Sequence, residues 1–237
     1  MTFQKGTHSL PVRICLCLLA LVLLASAAAV LWWWRPRQIA GSPDWRIPHA
    51  AVYPFGINVS LEQYSAAERE QALALIEAAG LRWVRQSFPW AEIEPQPGRY
   101  CWQPWDELVS AMRAHHLTII AVLDTSPPWA RRDPKGQNPY TPPQEVADYG
   151  RFVRAFAGRY GEQIDYYQIW DEPNLAAHWG DSYVDATAYV ALLREGYAQL
   201  KAADTVSYVL SAGLAPTTEE GPLNLNEVAF LRGLYAA

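Results

Sequence analysis

The sequence lacks an excess of positive charge, a paired set of cysteines and a cluster of metal ligands. It has 19 Lys and Arg against 24 Asp and Glu, a net charge of −5, and no basic block. A nucleic-acid-binding protein is therefore not indicated. Three cysteines do not make a disulfide framework. The five histidines are scattered and no Cys–His spacing typical of metal sites occurs, so no metal centre is expected.

Long apolar runs are also scarce, and the one that occurs is near the N-terminus. Residues 14–34 form 21 positions without a charge, enough to span a bilayer as a helix. Three tryptophans at 32–34 resemble interfacial anchors. A cleaved signal peptide is the alternative, because residues 25–27 resemble a small-residue cleavage site. We favour an uncleaved transmembrane helix, because the apolar run continues beyond that site into the tryptophans.

This segment sets the expected domain organisation and location. Residues 1–35 are a membrane anchor or signal segment, residues 36–50 a linker rich in proline and small residues, and residues 51–237 the folded domain. We expect a single-pass protein of the cell membrane whose domain lies outside the cytoplasm. If the leader is cleaved, the protein is secreted.

From residue 51 onward, apolar strand patterns alternate with amphipathic helix patterns. Strands are predicted at about residues 53–59, 81–88, 117–123, 164–170 and 206–212. Helices are predicted between and after them, with starts near Ser65, Pro104, Thr141 and Asn224. Alternating strands and helices indicate βαβ units and a parallel sheet.

Two α/β architectures fit this alternation, an open doubly wound sheet and a (β/α)8 barrel. No G-x-G-x-x-G follows the first strand and no G-x-x-x-x-G-K occurs, so a nucleotide-binding open sheet is unsupported. The long segments follow strands, at residues 88–103, 124–143, 171–184 and 213–223. Long loops after strands form the catalytic face of a barrel, which favours the (β/α)8 TIM barrel.

The stretch at residues 165–174 is the most informative in the chain. An apolar run ends in Asp171 and Glu172, and Pro173 cannot donate to a sheet ladder. The two carboxyl groups are therefore predicted at the C-terminal tip of a buried strand, where α/β folds place their chemistry. A strand followed by an ordinary polar turn is the simpler alternative.

Three motifs at the predicted strand ends carry a resemblance to a known group of enzymes. They comprise residues 83–90 with 93–102, residues 121–130, and residues 168–174. In this order they resemble the ends of the second, third and fourth strands of the clan A retaining glycoside hydrolases. The likeness is to family 39, family 5 and related cellulase-like barrels, and it covers about residues 52–237. It implies a glycosidase on a TIM barrel that acts on a carbohydrate and needs no cofactor.

The resemblance also implies roles for individual residues. Glu172 matches the general acid/base, which must protonate a glycosidic oxygen because that oxygen is otherwise a poor leaving group. Asp171 stands where the clan usually has an asparagine that holds the sugar 2-hydroxyl, and Arg85 matches an arginine that orients the nucleophile. The expected substrate-binding residues are Asp171, Arg85, Trp90, Trp129, Trp170 and Asn174, with Trp179 a further candidate sugar platform.

The second carboxylate of the expected mechanism is not found. Retaining glycosidases use two carboxyl groups, and the clan's nucleophile is a glutamate at the end of the seventh strand. Only five strands are predicted, so we expect a barrel truncated after about five βα units and no glycosidase activity from this chain alone. The alternative is a non-catalytic carbohydrate-binding protein on a degenerate or truncated barrel.

Overall fold

Within the part of the chain that the structure describes, five parallel strands form one sheet, and they are ordered in the sheet as they are in the chain. The structure, a computed structural model, describes residues 55–237. The predicted anchor at 1–35, the linker at 36–50 and the first residues of the predicted domain therefore lie outside the described residues. Within residues 55–237, no helix is long and apolar enough to cross a membrane.

The strands and helices alternate as predicted. The strands are β1 (Gly56–Val59), β2 (Trp83–Pro89), β3 (Thr118–Asp124), β4 (Tyr166–Ile169) and β5 (Tyr208–Leu210). The helices are α1 (Ala66–Ala78), the short α2 (Trp90–Ile93), α3 (Gln103–Ala114), α4 (Val146–Tyr160), α5 (Ala186–Ala203) and α6 (Glu227–Ala236). Single turns of 3-10 helix lie at Leu61–Gln63 and Ala176–His178.

The predicted start of one helix is confirmed by its capping contacts, and the predicted starts of two others are wrong. Ser65 forms the predicted capping box with Glu68 before α1. The predicted start at Thr141 is wrong, because consecutive prolines at 142–143 disfavour helical backbone before them and α4 begins only at Val146. The Thr141 hydroxyl instead donates to the Asn138 carbonyl. The predicted start at Asn224 is also early, since the Asn226 side chain caps α6.

The strand register decides which side chains share a face. Arg85 is aligned with Ile120, and Ser87 with Val122. Val122 is in turn aligned with Gln168 on β4. Because side chains alternate along a strand, Arg85, Ser87 and Gln168 lie on one face, which corresponds to the inside of a barrel. The alternate residues of β2 are buried on the opposite face.

Aromatic rings fill much of the core between that opposite face and the helices. Phe88 meets Phe156 edge-on with ring centroids 5.0 Å apart, and Phe156 lies 4.7 Å from Tyr160. The Trp90 ring stacks on Phe152 at 5.6 Å. Aromatic pairs of this geometry add to the free energy gained from their burial. A large part of the aromatic content therefore stabilises the sheet–helix packing.

Candidate active site

The candidate site lies at the C-terminal ends of β2, β3 and β4. Asp124 is the last residue of β3, and Asp171 and Glu172 follow β4. A cavity of about 600 Å³ opens here, and its polar lining includes Asn58, Arg85, Ser87, Asp124, Tyr140 and Asp171. The strand tips thus bring together groups that are 86 residues apart in the chain, as Arg85 and Asp171 are.

Arg85 holds Asp171 directly. The Arg85 Nη2 donates to Asp171 Oδ1 at 2.5 Å, and its Nε donates to Gln168 Oε1 at 3.0 Å. The Gln168 amide donates to the same Asp171 oxygen at 3.2 Å. The Arg85 and Asp171 side chains are 28% and 20% exposed, so the pair is only partly screened by water. These contacts orient the Asp171 carboxylate and offset its charge.

Glu172 lies on a strained turn beside this pair. Trp170 and Glu172 have φ angles of +67° and +44°, a left-handed backbone that costs about 1–2 kcal/mol in a non-glycine residue. The turn is held by hydrogen bonds from Trp170 N to the Leu123 carbonyl and from Glu172 N to the Gly213 carbonyl, each 3.0 Å long. The Glu172 side chain stays 36% exposed, so a ligand can reach its carboxyl group.

His178 lies within ion-pair distance of Glu172, and the sequence analysis did not assign it a role. Its Nε2 lies 3.6 Å from Glu172 Oε2. The imidazole stacks on the Tyr140 ring with centroids 4.4 Å apart and an interplanar angle of 17°. The Trp170 indole anchors the His178 carbonyl at 2.9 Å. The sequence feature that could have indicated a role for His178 is its position only six residues after Glu172.

Asp124 was also missed as a site residue, although it lies within the second motif. It is 2% exposed, and the Ser87 hydroxyl donates to its carboxyl group, with oxygen–oxygen distances of 2.9 and 3.0 Å. Burial raises the pKa of Asp124 to about 7; the Ser87 hydrogen bond opposes the shift and the Asp171 charge adds to it. The Asp124 carboxyl group therefore changes between its protonated and ionised forms near neutral pH.

The electrostatic balance of the site is negative. Burial and the charges of Asp124, Asp171 and Glu172 raise the pKa of Tyr140 to about 12, while Arg85 opposes them. Tyr140 is therefore a neutral hydrogen-bonding group at physiological pH. Within residues 55–237, no group of three or more His, Cys, Asp and Glu side chains is arranged to hold a metal ion.

The predicted substrate contacts of Trp90 and Trp170 are wrong, and so is the candidate sugar platform at Trp179. Their exposures are 0%, 0% and 2%. Trp170 contacts the ring of Trp179 edge-on, and both therefore lie within the packed core. A ring enclosed by other rings has no free face for a sugar. Of the four tryptophans, only Trp129 stays partly exposed, and its indole N–H donates to the Glu94 carbonyl at 3.1 Å.

The predicted substrate contact at Asn174 is also wrong. Asn174 is fully buried. Its amide nitrogen donates to the carbonyls of Ala215 and Leu225 at 2.8 and 3.0 Å, and its oxygen accepts from Ala215 N at 3.0 Å. All these partners are backbone groups of the segment after β5. Asn174 therefore joins two long loops rather than facing the cavity.

Comparisons with known proteins agree with this arrangement. A family model described as a beta-galactosidase of glycoside hydrolase family 42 matches residues 59–135. The predicted resemblance to the clan A glycoside hydrolases is confirmed. A search of curated protein sequences finds no match.

Solved structures of glycoside hydrolases share the fold. A family 39 glycoside hydrolase from Bacteroides cellulosilyticus superposes with a TM-score of 0.54 at 20% identity over 67% of this chain and 31% of its own. An exo-β-1,4-mannosidase from Opitutaceae bacterium strain TAV5 superposes with a TM-score of 0.54 at 18% identity, also over 67% of this chain and 31% of its own. A Thermotoga maritima enzyme in complex with mannotriose gives 0.51 at 15% identity, over 73% of this chain and 56% of its own.

These likenesses confirm the predicted fold class for the described residues. The five parallel strands correspond to part of a TIM barrel. The chain spans about a third of the length of the first two solved structures it matches, with 31% coverage of each. The strand ends described above therefore correspond to one side of a barrel's catalytic face.

Proposed function

We propose that this chain forms the acid/base side of the active site of a glycosidase, which hydrolyses O-glycosidic bonds of an oligosaccharide or polysaccharide. The observation that carries the proposal is Glu172, a reachable carboxyl group on a strained turn at the tip of β4. Strain of this kind persists where the surrounding structure holds it, and it is concentrated at functional sites. The match to a glycoside hydrolase family model over residues 59–135 supports the glycosidase class, although it ends before Glu172.

In the proposed mechanism Glu172 protonates the glycosidic oxygen as the bond to the sugar breaks. In a retaining double displacement, a second carboxylate attacks the anomeric carbon, and Glu172 then removes a proton from water to release the sugar. We propose that the nucleophile is a glutamate of a later barrel strand that is missing from this chain. The two carboxyl groups must then lie about 5–5.5 Å apart in the assembled site.

The neighbouring residues take supporting roles in this proposal. Asp171 accepts a hydrogen bond from a sugar hydroxyl, and Arg85 holds the Asp171 carboxylate in position through their 2.5 Å contact. Trp129 is the remaining candidate for a sugar platform. His178 limits the rotation of the Glu172 side chain, because its ring is itself fixed by stacking on Tyr140.

We also propose that residues 14–34 attach the protein to the cell membrane, with the domain outside the cytoplasm. The support is the uncharged 21-residue run and its three tryptophans. Alkaline extraction of membranes from the native source should leave the protein in the pellet. Recovery in the soluble fraction, with an intact mass that lacks the leader, would favour the cleaved signal peptide.

The glycosidase proposal is tested with the protein isolated from its native source at its natural length. A panel of 4-nitrophenyl β-glycosides of galactose, mannose, glucose and xylose is assayed for release of nitrophenol. We expect hydrolysis of at least one, and Glu172→Gln should lower it by about 10²–10⁴-fold. Glu162→Gln, at an exposed position in the turn after α4, is the matched control and should leave the rate unchanged.

Two outcomes would contradict parts of this proposal. Hydrolysis by the 237-residue chain alone, abolished by Glu172→Gln, would show that the nucleophile lies within it. Saccharide binding without hydrolysis, indifferent to Glu172→Gln, would favour the non-catalytic carbohydrate-binding alternative.

A further inference from the structure

Asp124 is a buried acid that faces a ligand-sized cavity, and the proposed mechanism gives it no role. It lines the cavity of about 600 Å³ together with Arg85, Ser87, Tyr140 and Asp171. Among residues 55–237, its carboxyl group receives hydrogen bonds from a single hydroxyl, that of Ser87 on the adjacent strand. A carboxyl group can take part in more hydrogen bonds than one hydroxyl supplies. The cavity is the direction from which a ligand can reach it.

Charged and titratable groups surround Asp124 on several elements. Arg85 and Ser87 lie on β2, Asp171 follows β4, and Tyr140 lies in the loop after β3. Tyr149 of α4 and Glu62 of the 3-10 turn also interact with it electrostatically. Arg85, the cation of this set, donates to Asp171 and Gln168. The ionised form of Asp124 is therefore poorly compensated, and burial favours its neutral form.

We propose that Asp124 is a ligand-binding residue of this cavity and that it binds a neutral saccharide in its protonated form. The protonated carboxyl donates to a hydroxyl oxygen of the sugar, and its other oxygen keeps the hydrogen bond from Ser87. A neutral sugar also displaces water from the carboxyl group, which disfavours ionisation further. This inference rests on the proposed glycosidase function and extends it to the cavity, which shares Arg85 and Asp171 with the proposed active site.

The expected size of the effect follows from the fraction of Asp124 that is protonated. Because the pKa of Asp124 is raised to about 7, that fraction is about 0.9 at pH 6 and about 0.1 at pH 8. If only the protonated form binds, the apparent dissociation constant rises in inverse proportion to this fraction. Affinity for a neutral saccharide should therefore fall about tenfold between pH 6 and pH 8.

The test uses the full-length protein with Glu172→Gln as the host for every variant, so that binding is measured without hydrolysis. The infrared band of protonated carboxyl groups is followed from pH 5 to 9, and the difference from Asp124→Asn isolates Asp124. Calorimetric titrations with cellobiose, mannobiose and xylobiose are run at pH 6 and pH 8. We expect the tenfold loss of affinity in the host and a change below about twofold in Asp124→Asn.

Two further variants test whether the pH dependence belongs to Asp124. One changes its hydrogen-bond partner, and the other changes a carboxyl group outside the cavity. Ser87→Ala removes the hydrogen bond that opposes the pKa shift, so the loss of affinity should move to higher pH. Glu92→Gln alters another carboxyl group whose pKa burial raises but that does not line the cavity, and it should leave the pH profile unchanged.

The possible failures are distinguishable. Saccharide binding whose pH dependence survives Asp124→Asn overturns this inference alone, and so does binding without an Asp124 infrared band near pH 7. If none of the three disaccharides binds at either pH, the proposed saccharide site fails and this inference fails with it.

Discussion

Arg85 and Asp171 form the contact that lets an extra carboxylate sit next to Glu172. The resemblance implies an asparagine at the position of Asp171, whereas here a guanidinium meets the carboxylate at 2.5 Å and Gln168 donates to it as well. Removing either partner leaves a partly buried charge without compensation. The pair is therefore expected to contribute to stability as well as to the geometry of the site.

A double-mutant cycle tests this pair. Arg85→Met should lower the free energy of unfolding by about 2 kcal/mol, and adding Asp171→Asn should restore part of the loss, with a coupling of about 1–2 kcal/mol. The Arg69–Glu107 pair, whose charged atoms are 3.9 Å apart, is the control and should couple by less than about 1 kcal/mol. Urea unfolding supplies the measurement, and additive effects at Arg85 and Asp171 would contradict the expectation.

Asp124 should make stability depend on pH. The pKa of Asp124 is about 7 in the folded chain, against an ordinary value of 3.8. Between pH 3.8 and pH 7, the folded state therefore binds more protons than the unfolded state does. Stability therefore falls as pH rises from about 4 to 7, and Asp124→Asn removes the fall. The free energy of unfolding of Asp124→Asn should exceed that of the wild type by up to about 4 kcal/mol at pH 8 and equal it near pH 4.

Thermal unfolding at pH 4, 6 and 8 measures this difference. The exposed Asp133, outside the cavity, supplies the control variant Asp133→Asn, which should follow the wild type across the range. A constant difference between Asp124→Asn and the wild type at all three pH values would show that Asp124 keeps one protonation state throughout.

At the scale of elements, two helices hold two strand ends in the same way. The Tyr149 hydroxyl of α4 donates to the Leu123 carbonyl at 2.7 Å, just before Asp124. The Tyr189 hydroxyl of α5 donates to the Ile169 carbonyl at 3.0 Å, just before the strained turn, and accepts from Ala212 N at 2.6 Å. These tyrosines connect the outer helices to the strand tips that carry the site.

The two tyrosines should differ in their contribution to stability. Tyr149→Phe should lower the free energy of unfolding by about 1 kcal/mol, because the Leu123 carbonyl still accepts a 3.0 Å hydrogen bond from Trp170 N. Tyr189→Phe should cost about 2 kcal/mol, because it removes a donor from one buried backbone group and an acceptor from another. Chemical denaturation of both variants provides the comparison, and a smaller loss for Tyr189→Phe would contradict this account.

At the scale of the whole molecule, the sheet has a protected centre and two edges. Within residues 55–237, β3 pairs on both sides, whereas β1 pairs only with β2 and β5 only with β4. Ile57 of β1 is 40% exposed and Tyr208 of β5 is 60% exposed. Unpaired edges are where a sheet opens first and where another strand can add.

Hydrogen exchange should follow this order. Amides of β3 should exchange at least about tenfold more slowly than those of β1 and β5, because opening the edges disrupts fewer contacts. Exchange of the 237-residue chain, followed by mass spectrometry of its peptides, gives the measurement. Equal protection of β1 and β3 would mean that another polypeptide segment covers the β1 edge.

The sequence by itself determined the alternation of strands and helices, the order of the strand-end motifs and the place of Glu172 after β4. These features are local, because strand and helix periodicities and turn residues act over a few positions. Tertiary structure decided that Trp90, Trp170 and Asn174 pack inside, and that Ser87 reaches Asp124 across 37 positions. Such contacts depend on the register between strands and on how helices cover them, which a linear pattern of residue types does not contain.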